Sequence, residues 1–183
     1  MPKQNAVESR EILVLGGYGV TGAAVVDAAV EKGWPVVTAS RRAGPSHLLG
    51  GAPAPRHVSV DLLDRKAVVR AFSTLSSVTD VVYSAYVERE SQSAAVGPNV
   101  AMLANSVEAL LAAGAQLKHV VLFGGGKAYG PHLGPYKTPA KESDPRLLGP
   151  NFYYDQEDYL SQWGAQHDVA WTVLRPDGVF GPG

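Results

Sequence analysis

Ile12-Leu-Val-Leu-Gly-Gly-Tyr-Gly-Val-Thr-Gly22 decides how the rest of the chain reads. Four apolar residues, Ile12 to Leu15, have the length of a short buried parallel strand. They empty into Gly16, Gly17, Gly19 and Gly22, and the Ala- and Val-rich stretch from Ala23 to Lys32 reads as helix. Glycines at a strand-to-helix turn let the backbone bend sharply and come close to a pyrophosphate. The helix that starts there offers unpaired N–H groups and the positive end of its dipole. A second apolar run, Val36 to Ser40, follows, and this strand–helix–strand setting is the one in which such glycines bind a dinucleotide. Gly16, Gly17, Tyr18, Gly19, Val20 and Gly22 are therefore the candidate phosphate loop. A turn that needs glycine for packing alone is the competing account.

Outward from this unit, strands and helices alternate. The first strand, 12–15, is followed by a helix over about 20–32, which Gly33 stops before Pro35 opens a strand at 36–40. A Gly- and Pro-rich loop, 44–55, leads to a strand at 57–60. Asp64 is positioned to cap a helix over about 64–75. A strand at 80–85, a helix over about 99–113 ended by Gly114, and a strand at 120–123 come next. A long loop then runs to Asn151, before a helix over about 153–167 and a strand at 171–174. Six strands alternating with helices predict an α/β, Rossmann-like doubly wound parallel sheet with helices on both faces. Residues 1–183 read as one domain.

Composition narrows the function classes. A net charge of −1 with 45% hydrophobic residues gives neither a nucleic-acid stripe nor a disordered chain. The absence of cysteine removes disulfides, thiolate nucleophiles and thiolate metal sites together. His47, His57, His119, His132 and His167 are scattered without ligand spacing. Met1 to Arg10 is polar and lacks an apolar signal core, and no apolar run approaches the roughly 18–20 residues of a membrane span. A soluble cytoplasmic protein is the expectation.

The end of the second strand chooses between cofactors. An acidic residue there accepts from the ribose 2′-hydroxyl of NAD, whereas arginine accommodates the 2′-phosphate of NADP. This chain has Ser40-Arg41-Arg42 and no carboxylate. Guanidinium groups form charge-assisted, often bidentate bonds to phosphate, so NADP(H) is expected, against the alternative of two solvated surface arginines. Asp61, in Asp61-Leu62-Leu63-Asp64, stands where a carboxylate could accept from the adenine amino group. A helix cap accounts for the Asp61/Asp64 pair equally well.

The G-x-x-G-x-x-G spacing (16, 19, 22) and the Asp-Leu-x-Asp after the third strand resemble the extended short-chain dehydrogenase/reductase family. That family normally carries Tyr-x-x-x-Lys on the helix after the fifth strand. Here Tyr153 is followed four residues later by Glu157, and Tyr154 by Asp158. The stretch Leu117 to Pro131, with Lys127 just past the fifth strand, and Asn151-Phe-Tyr-Tyr-Asp-Gln-Glu-Asp158 resemble the progesterone 5β-reductase/iridoid synthase branch. Its hallmarks are a G-x-K-H-Y-type loop carrying the lysine and an N-F-Y-Y-x-x-E-D motif carrying the tyrosine. Asn99-x-x-Met-Leu103 and the segment from Trp171 to Gly181 fit as well. One position departs: Ala128 stands where the family has histidine.

The resemblance implies Lys127 and Tyr153 as the catalytic pair, NADP(H) as cofactor, and reduction of the carbon–carbon double bond of an enone. Hydride adds to the β-carbon, and a tyrosine O–H with a nearby ammonium stabilises the enolate oxygen that forms. A cationic lysine also favours the tyrosinate. Without the resemblance, both tyrosines read as amphipathic core residues and Lys127 as a solvated loop charge. Tyr154 is the other candidate for the active tyrosine, and Glu157 and Asp158 read as surface or loop-anchoring carboxylates. Ser84, Ala85 and Tyr86 are expected to line the nicotinamide-ribose side of the crevice, and Leu62 is also expected to bind the cofactor. Pro176 and Val179 are expected near the carboxamide, and Lys127 and Tyr153 also face the cofactor. Asn99 resembles the asparagine that supports the active site in extended reductases, or else is a helix N-cap. The expected partners are a small-molecule substrate, an enone or other carbonyl compound, and a possible homodimer, without nucleic acid or membrane.

Arg175 to Gly183 resembles the junction after which extended reductases build their substrate-binding part. The expectation is a cofactor half lacking most of that C-terminal part, so that the substrate pocket is incomplete. A carbonyl reductase, a nucleotide-sugar epimerase or dehydratase, and a non-catalytic NADP(H)-sensing regulator are the rival functions on this scaffold.

Overall fold

A computed structural model describes residues 10–48 and 51–181. Most of the polar lead Met1–Arg10 and the last two residues of the Arg175–Gly183 segment lie outside them. The strands are β1 Ile12–Leu15, β2 Val36–Ser40, β3 Arg56–Ser59, β4 Asp80–Tyr83, β5 His119–Phe123 and β6 Ala170–Leu174. The helices are α1 Val20–Glu31, α2 Arg65–Phe72, α3 Gln92–Ala112 and α4 Phe152–His167. The strands form one parallel six-stranded sheet in the order β3-β2-β1-β4-β5-β6, the doubly wound arrangement.

Period-two alternation divides the core between the two faces. Leu13, Leu15, Val37, Val81, Val120 and Leu122 point toward α2, α3 and α4, where Phe72, Leu103, Val107, Leu110, Leu160 and Trp163 complete a large cluster. Ile12, Val14 and Val36 point the other way and meet Val26 and Ala29 of α1. Because the chain reverses its winding direction between β1 and β4, the C-terminal ends of these two strands flank a crevice, where open α/β sheets bind ligands.

The main departure from expectation is α3, which begins at Gln92 rather than Asn99 and carries Pro98 inside it. Ser91 caps it by accepting from the Ala94 N–H at 3.1 Å. Proline removes one backbone donor, and the Asn99 side chain donates to the Ala95 carbonyl at 2.8 Å one turn back. Asn99 is thus a helix-interior residue, and its N-cap reading falls. With a mean hydropathy of 1.2, α3 has the length and composition of a membrane span, which the run-length reading missed. Its Met102, Leu103, Val107 and Leu110 are instead buried against the sheet and its neighbours. Asp64 caps α2 as expected, accepting from Ala67 N–H at 3.0 Å. The long loop before α4 contains 3-10 turns at Gly126–Tyr129 and Pro131–Leu133 that the sequence did not suggest.

One core residue is out of balance. Tyr83 is 1% exposed, and its hydroxyl has no hydrogen-bond partner among the described residues. Burial pushes its phenol far above the ordinary value of 10.0. An unmet buried hydroxyl costs about 1–3 kcal/mol, which removal of the group restores in part. Tyr83→Phe is expected to raise the unfolding free energy by about 1 kcal/mol, read as a higher urea midpoint at unchanged slope. A lowered midpoint would mean that the hydroxyl is bonded.

Candidate functional site

The glycine loop has the close contacts that its sequence implies. Gly16 has φ +78°, in the left-handed region, and a Cβ there would meet the backbone of Ser84 and Ala85 at 3.0 Å. A Cβ on Gly22 would fall 2.2 Å from the Gly16 carbonyl oxygen, so α1 can start this close to β1 only with glycine at that position. Gly19 occupies the N-cap of α1, and no side chain caps the helix. The first-turn N–H groups therefore face the crevice without a side-chain acceptor, which suits a pyrophosphate. These features fit a bound dinucleotide. Val20 is exposed at the start of α1, and the Gly181 backbone returns beside it: a Cβ there would lie 3.1 Å from a Val20 methyl. The segment carrying Pro176 and Val179 is thereby brought back toward the glycine loop.

Tyr18 turns away from the loop. Its hydroxyl lies 3.1 Å from Thr38 Oγ1, and its ring centroid is 5.1 Å from that of His57. Arg41 and Arg42 are exposed at the end of β2, and Ser40 Oγ donates to the Arg42 carbonyl at 3.1 Å. Asp61 is exposed, with Oδ1 accepting from Leu63 N–H at 3.0 Å, a local turn that leaves its second oxygen available. Leu62 is 4% exposed and its side chain belongs to the core, so only its backbone can border the adenine side. Ser84 Oγ is committed to the Leu15 carbonyl at 2.9 Å, fastening β4 to β1. Ala85 packs on the core, and Tyr86 is 63% exposed in the cleft.

That cleft, of about 360 Å³, is lined by Tyr86, Glu88, Arg89, Lys127, Phe152 and Tyr153 among others. Lys127 and Tyr153 come together there from different elements, the 3-10 turn after β5 and the first turn of α4. Tyr153 is half-buried and crosses the Gly125 backbone so closely that a Cβ on Gly125 would fall 2.8 Å from its hydroxyl oxygen. Burial, and then Tyr86, push the Tyr153 phenol above its ordinary 10.0. With both influences raising it, Tyr153 stands as a proton-bearing donor at neutral pH. Lys127 is exposed, and its ammonium has no ion-pair partner among the described residues.

The rest of the Asn151–Asp158 motif holds this pair in place. The Asn151 side chain caps α4 at the Tyr153 N–H (3.2 Å) and donates to the Lys127 carbonyl at 3.4 Å. Tyr154 is buried: its hydroxyl donates to the Ala128 carbonyl and accepts from Leu147 N–H at 3.2 Å, so of these two neighbours only Tyr153 lines the cleft. Ala128 is itself buried, so backbone bonds from α4 anchor the loop where the related family has histidine. Glu157 binds Arg175 at 2.5 Å and Arg146 at 3.7 Å, and Asp158 binds Arg146 at 2.7 Å. Both carboxylates anchor loops, as expected.

Two supporting residues lie behind the cleft. Asn99, fully buried, accepts from Val87 N–H at 2.9 Å and donates to the Val87 carbonyl at 2.8 Å, fixing the segment that carries Tyr86. Gln156, 1% exposed, donates to the Asn99 carbonyl at 3.0 Å and was not anticipated. Its available signal was a polar residue four before Leu160 on a helix face otherwise apolar.

Comparison with known proteins agrees with this geometry. The family model for the NAD dependent epimerase/dehydratase family matches residues 12–183. The chain is 30% identical over 188 residues to a 3-oxo-Delta(4,5)-steroid 5-beta-reductase of Arabidopsis thaliana, covering 92% of this chain and 46% of the relative. It is 28% identical over 177 residues to the short chain dehydrogenase gsfE of Penicillium aethiopicum, with the same coverage. An (S)-8-oxocitronellyl enol synthase of Catharanthus roseus is 29% identical over 181 residues, covering 92% of this chain and 45% of the relative. The chain thus spans about half the length of the curated relatives it matches. Among solved structures, the UDP-glucose 4-epimerase of Thermus thermophilus in complex with NAD superposes with a TM-score of 0.68 at 24% identity, over 90% of this chain and 54% of the other. A match along nearly the whole chain, on a doubly wound sheet with the glycine cradle intact, places the protein in the NAD dependent epimerase/dehydratase family, among the extended short-chain dehydrogenases/reductases.

Proposed function

We propose that this chain is the cofactor-binding part of an NADPH-dependent reductase that reduces the carbon–carbon double bond of an enone. The observation that carries the reading is the meeting of Lys127 and Tyr153 in one cleft from separate elements, in a chain without Tyr-x-x-x-Lys. The named steroid reductase and enol synthases among the relatives support it, as do Arg41 and Arg42 at the end of β2 for the phosphorylated cofactor.

Gly16 to Gly22 and the open first turn of α1 would hold the pyrophosphate, and Arg41 and Arg42 the 2′-phosphate. A nicotinamide held there would supply the hydride for the substrate's β-carbon. Charge then gathers on the carbonyl oxygen, where the Tyr153 O–H donates and the Lys127 ammonium adds positive potential. The upward shift of Tyr153 keeps the proton on its oxygen for this role. Asn99, Asn151 and Tyr154 keep the donors aimed without touching substrate.

The first test is a fluorescence titration of the chain with NADPH and NADH in parallel. Binding of NADPH at least about tenfold tighter than NADH is expected, and equal affinities would remove the phosphate role of the arginines. Turnover is then read as NADPH oxidation by a small cyclic enone, using the protein with its full substrate-binding part. Tyr153→Phe removes the donor and is expected to lower kcat on the order of 10²–10³-fold, with cofactor affinity little changed. Lys127→Ala is expected to act in the same direction, and full activity in both variants would refute the assignment. Because the protonated phenol is the working form and its pKa is raised, the alkaline fall in rate belongs above pH 10.0. A fall near neutrality would point to a tyrosinate mechanism.

A further inference from the structure

His57, one of the five histidines without a catalytic or metal role in the reading above, lies under the arginine segment. His57 of β3 is paired with Thr38 of β2, and Ser40 with Ser59, so these side chains share the face on which Tyr18 lies. The chain after β2 folds back over that face. The Arg42 carbonyl accepts from His57 Nε2 at 2.8 Å, from Ser40 Oγ at 3.1 Å and from Ser59 Oγ at 3.2 Å. Two residues later, a Cβ on Gly44 would fall 2.8 Å from His57 Cγ and 3.0 Å from the Tyr18 ring, so the segment rests directly on the imidazole.

The hydrogen bonds assign the ring's tautomer. A carbonyl can only accept, so Nε2 carries the proton toward Arg42, and Nδ1 accepts from Thr38 Oγ1 at 2.8 Å. Thr38 is fully buried, and its Oγ1 lies 3.1 Å from Tyr18 Oη, which extends the chain of polar contacts to the glycine loop. A continuous path of bonds therefore runs from the glycine loop, through His57, to the backbone of the segment bearing Arg41 and Arg42.

We infer that His57 is a positioning residue for cofactor choice: it holds the Arg42 carbonyl, and so pre-aims the guanidinium groups at the 2′-phosphate of the dinucleotide. Long, exposed side chains lose much conformational freedom when they bind, and a fixed backbone beneath them reduces that cost. The rest of the dinucleotide faces the glycine cradle, whose closest backbone contacts, Gly16 on Ser84–Ala85 and Gly22 on the Gly16 carbonyl, do not involve His57. Loss of His57 should therefore weaken the phosphorylated cofactor selectively. The inference rests on the NADP(H) reading.

The test compares NADPH and NADH affinities, by fluorescence titration, for the wild-type chain, His57→Ala, His57→Gln and Gly44→Ala, each shown folded by its thermal unfolding curve. His57→Ala is expected to lose about tenfold in NADPH affinity, as for one lost hydrogen bond, with NADH affinity within about twofold. In His57→Gln the new side-chain amide N–H reaches the same carbonyl and is expected to restore most of the preference. In Gly44→Ala the new methyl displaces the segment from an intact imidazole, and the same selective loss is expected. Equal losses for both cofactors, an unchanged preference in His57→Ala, or no recovery with His57→Gln would overturn the inference while leaving the NADP(H) reading in place. A wild-type chain without NADPH preference would overturn that reading itself, and the inference with it.

Discussion

Everything at the site depends on how closely α1 can start behind β1. The gap between the Gly22 Cα and the Gly16 carbonyl leaves no room for a side chain, because a Cβ would sit 2.2 Å from that oxygen. This contact sets the start of α1, and with it the place where the uncapped N–H groups and the dipole meet a ligand. It also sets Gly16 against the Ser84–Ala85 backbone, at the point where the sheet reverses its winding direction. The crevice between β1 and β4 is therefore a consequence of two glycines as much as of strand order. Bonds such as Ser84 Oγ to the Leu15 carbonyl then hold its two walls together.

The second half of the site is organised from one end of one helix. In short-chain reductases that carry Tyr-x-x-x-Lys, the two groups share a helix face because residues four apart lie one above the other. Here the lysine comes from a 3-10 turn after β5, and no helical period fixes its distance from Tyr153. Precision has to come from bonds across the loop. Asn151 and Tyr154, flanking the Phe152–Tyr153 pair, bind the carbonyls of Lys127 and Ala128. Glu157, one turn further on, binds Arg175 at the end of β6, and Arg175 in turn lies 3.4 Å from the Tyr129 hydroxyl. Arg175 and Glu157 are both largely shielded, with side chains 16% and 19% exposed, so this pair is less screened than a surface salt bridge.

Most of the sheet was legible because buried parallel strands are short apolar runs and the turns between them carry Gly, Pro and Asp. The helix starts were less so. Helix α3 was expected from about Asn99, yet it starts at Gln92 and runs through Pro98, a residue that more often marks a helix boundary. The elements carrying Lys127 and Tyr153 were legible only through their motif. Lys127 in a glycine-rich loop is chemically silent until the fold brings Tyr153 beside it. The same holds for His57: its partners Thr38, Ser40, Ser59 and Arg42 are set by the β2–β3 register, which a list of scattered histidines cannot contain. Leu62 turns its side chain into the core after β3, so only its backbone is left to border a cofactor.

Residues that touch neither cofactor nor substrate thus carry much of the specification. The groups Arg41, Arg42, Lys127 and Tyr86 are exposed side chains. Three of these positions are backed by a buried or half-buried polar residue that bonds to the main chain rather than to the side chain itself: His57 behind Arg42, Asn151 behind Lys127, Asn99 behind the Tyr86–Val87 segment. Fixing the backbone leaves the terminal charges free to meet a ligand, while limiting the conformational entropy lost when they do. A direct bond to the side chain would have consumed the donors that the ligand needs. Buried amides and an imidazole suit this task because they can satisfy a carbonyl without placing a full charge in the core.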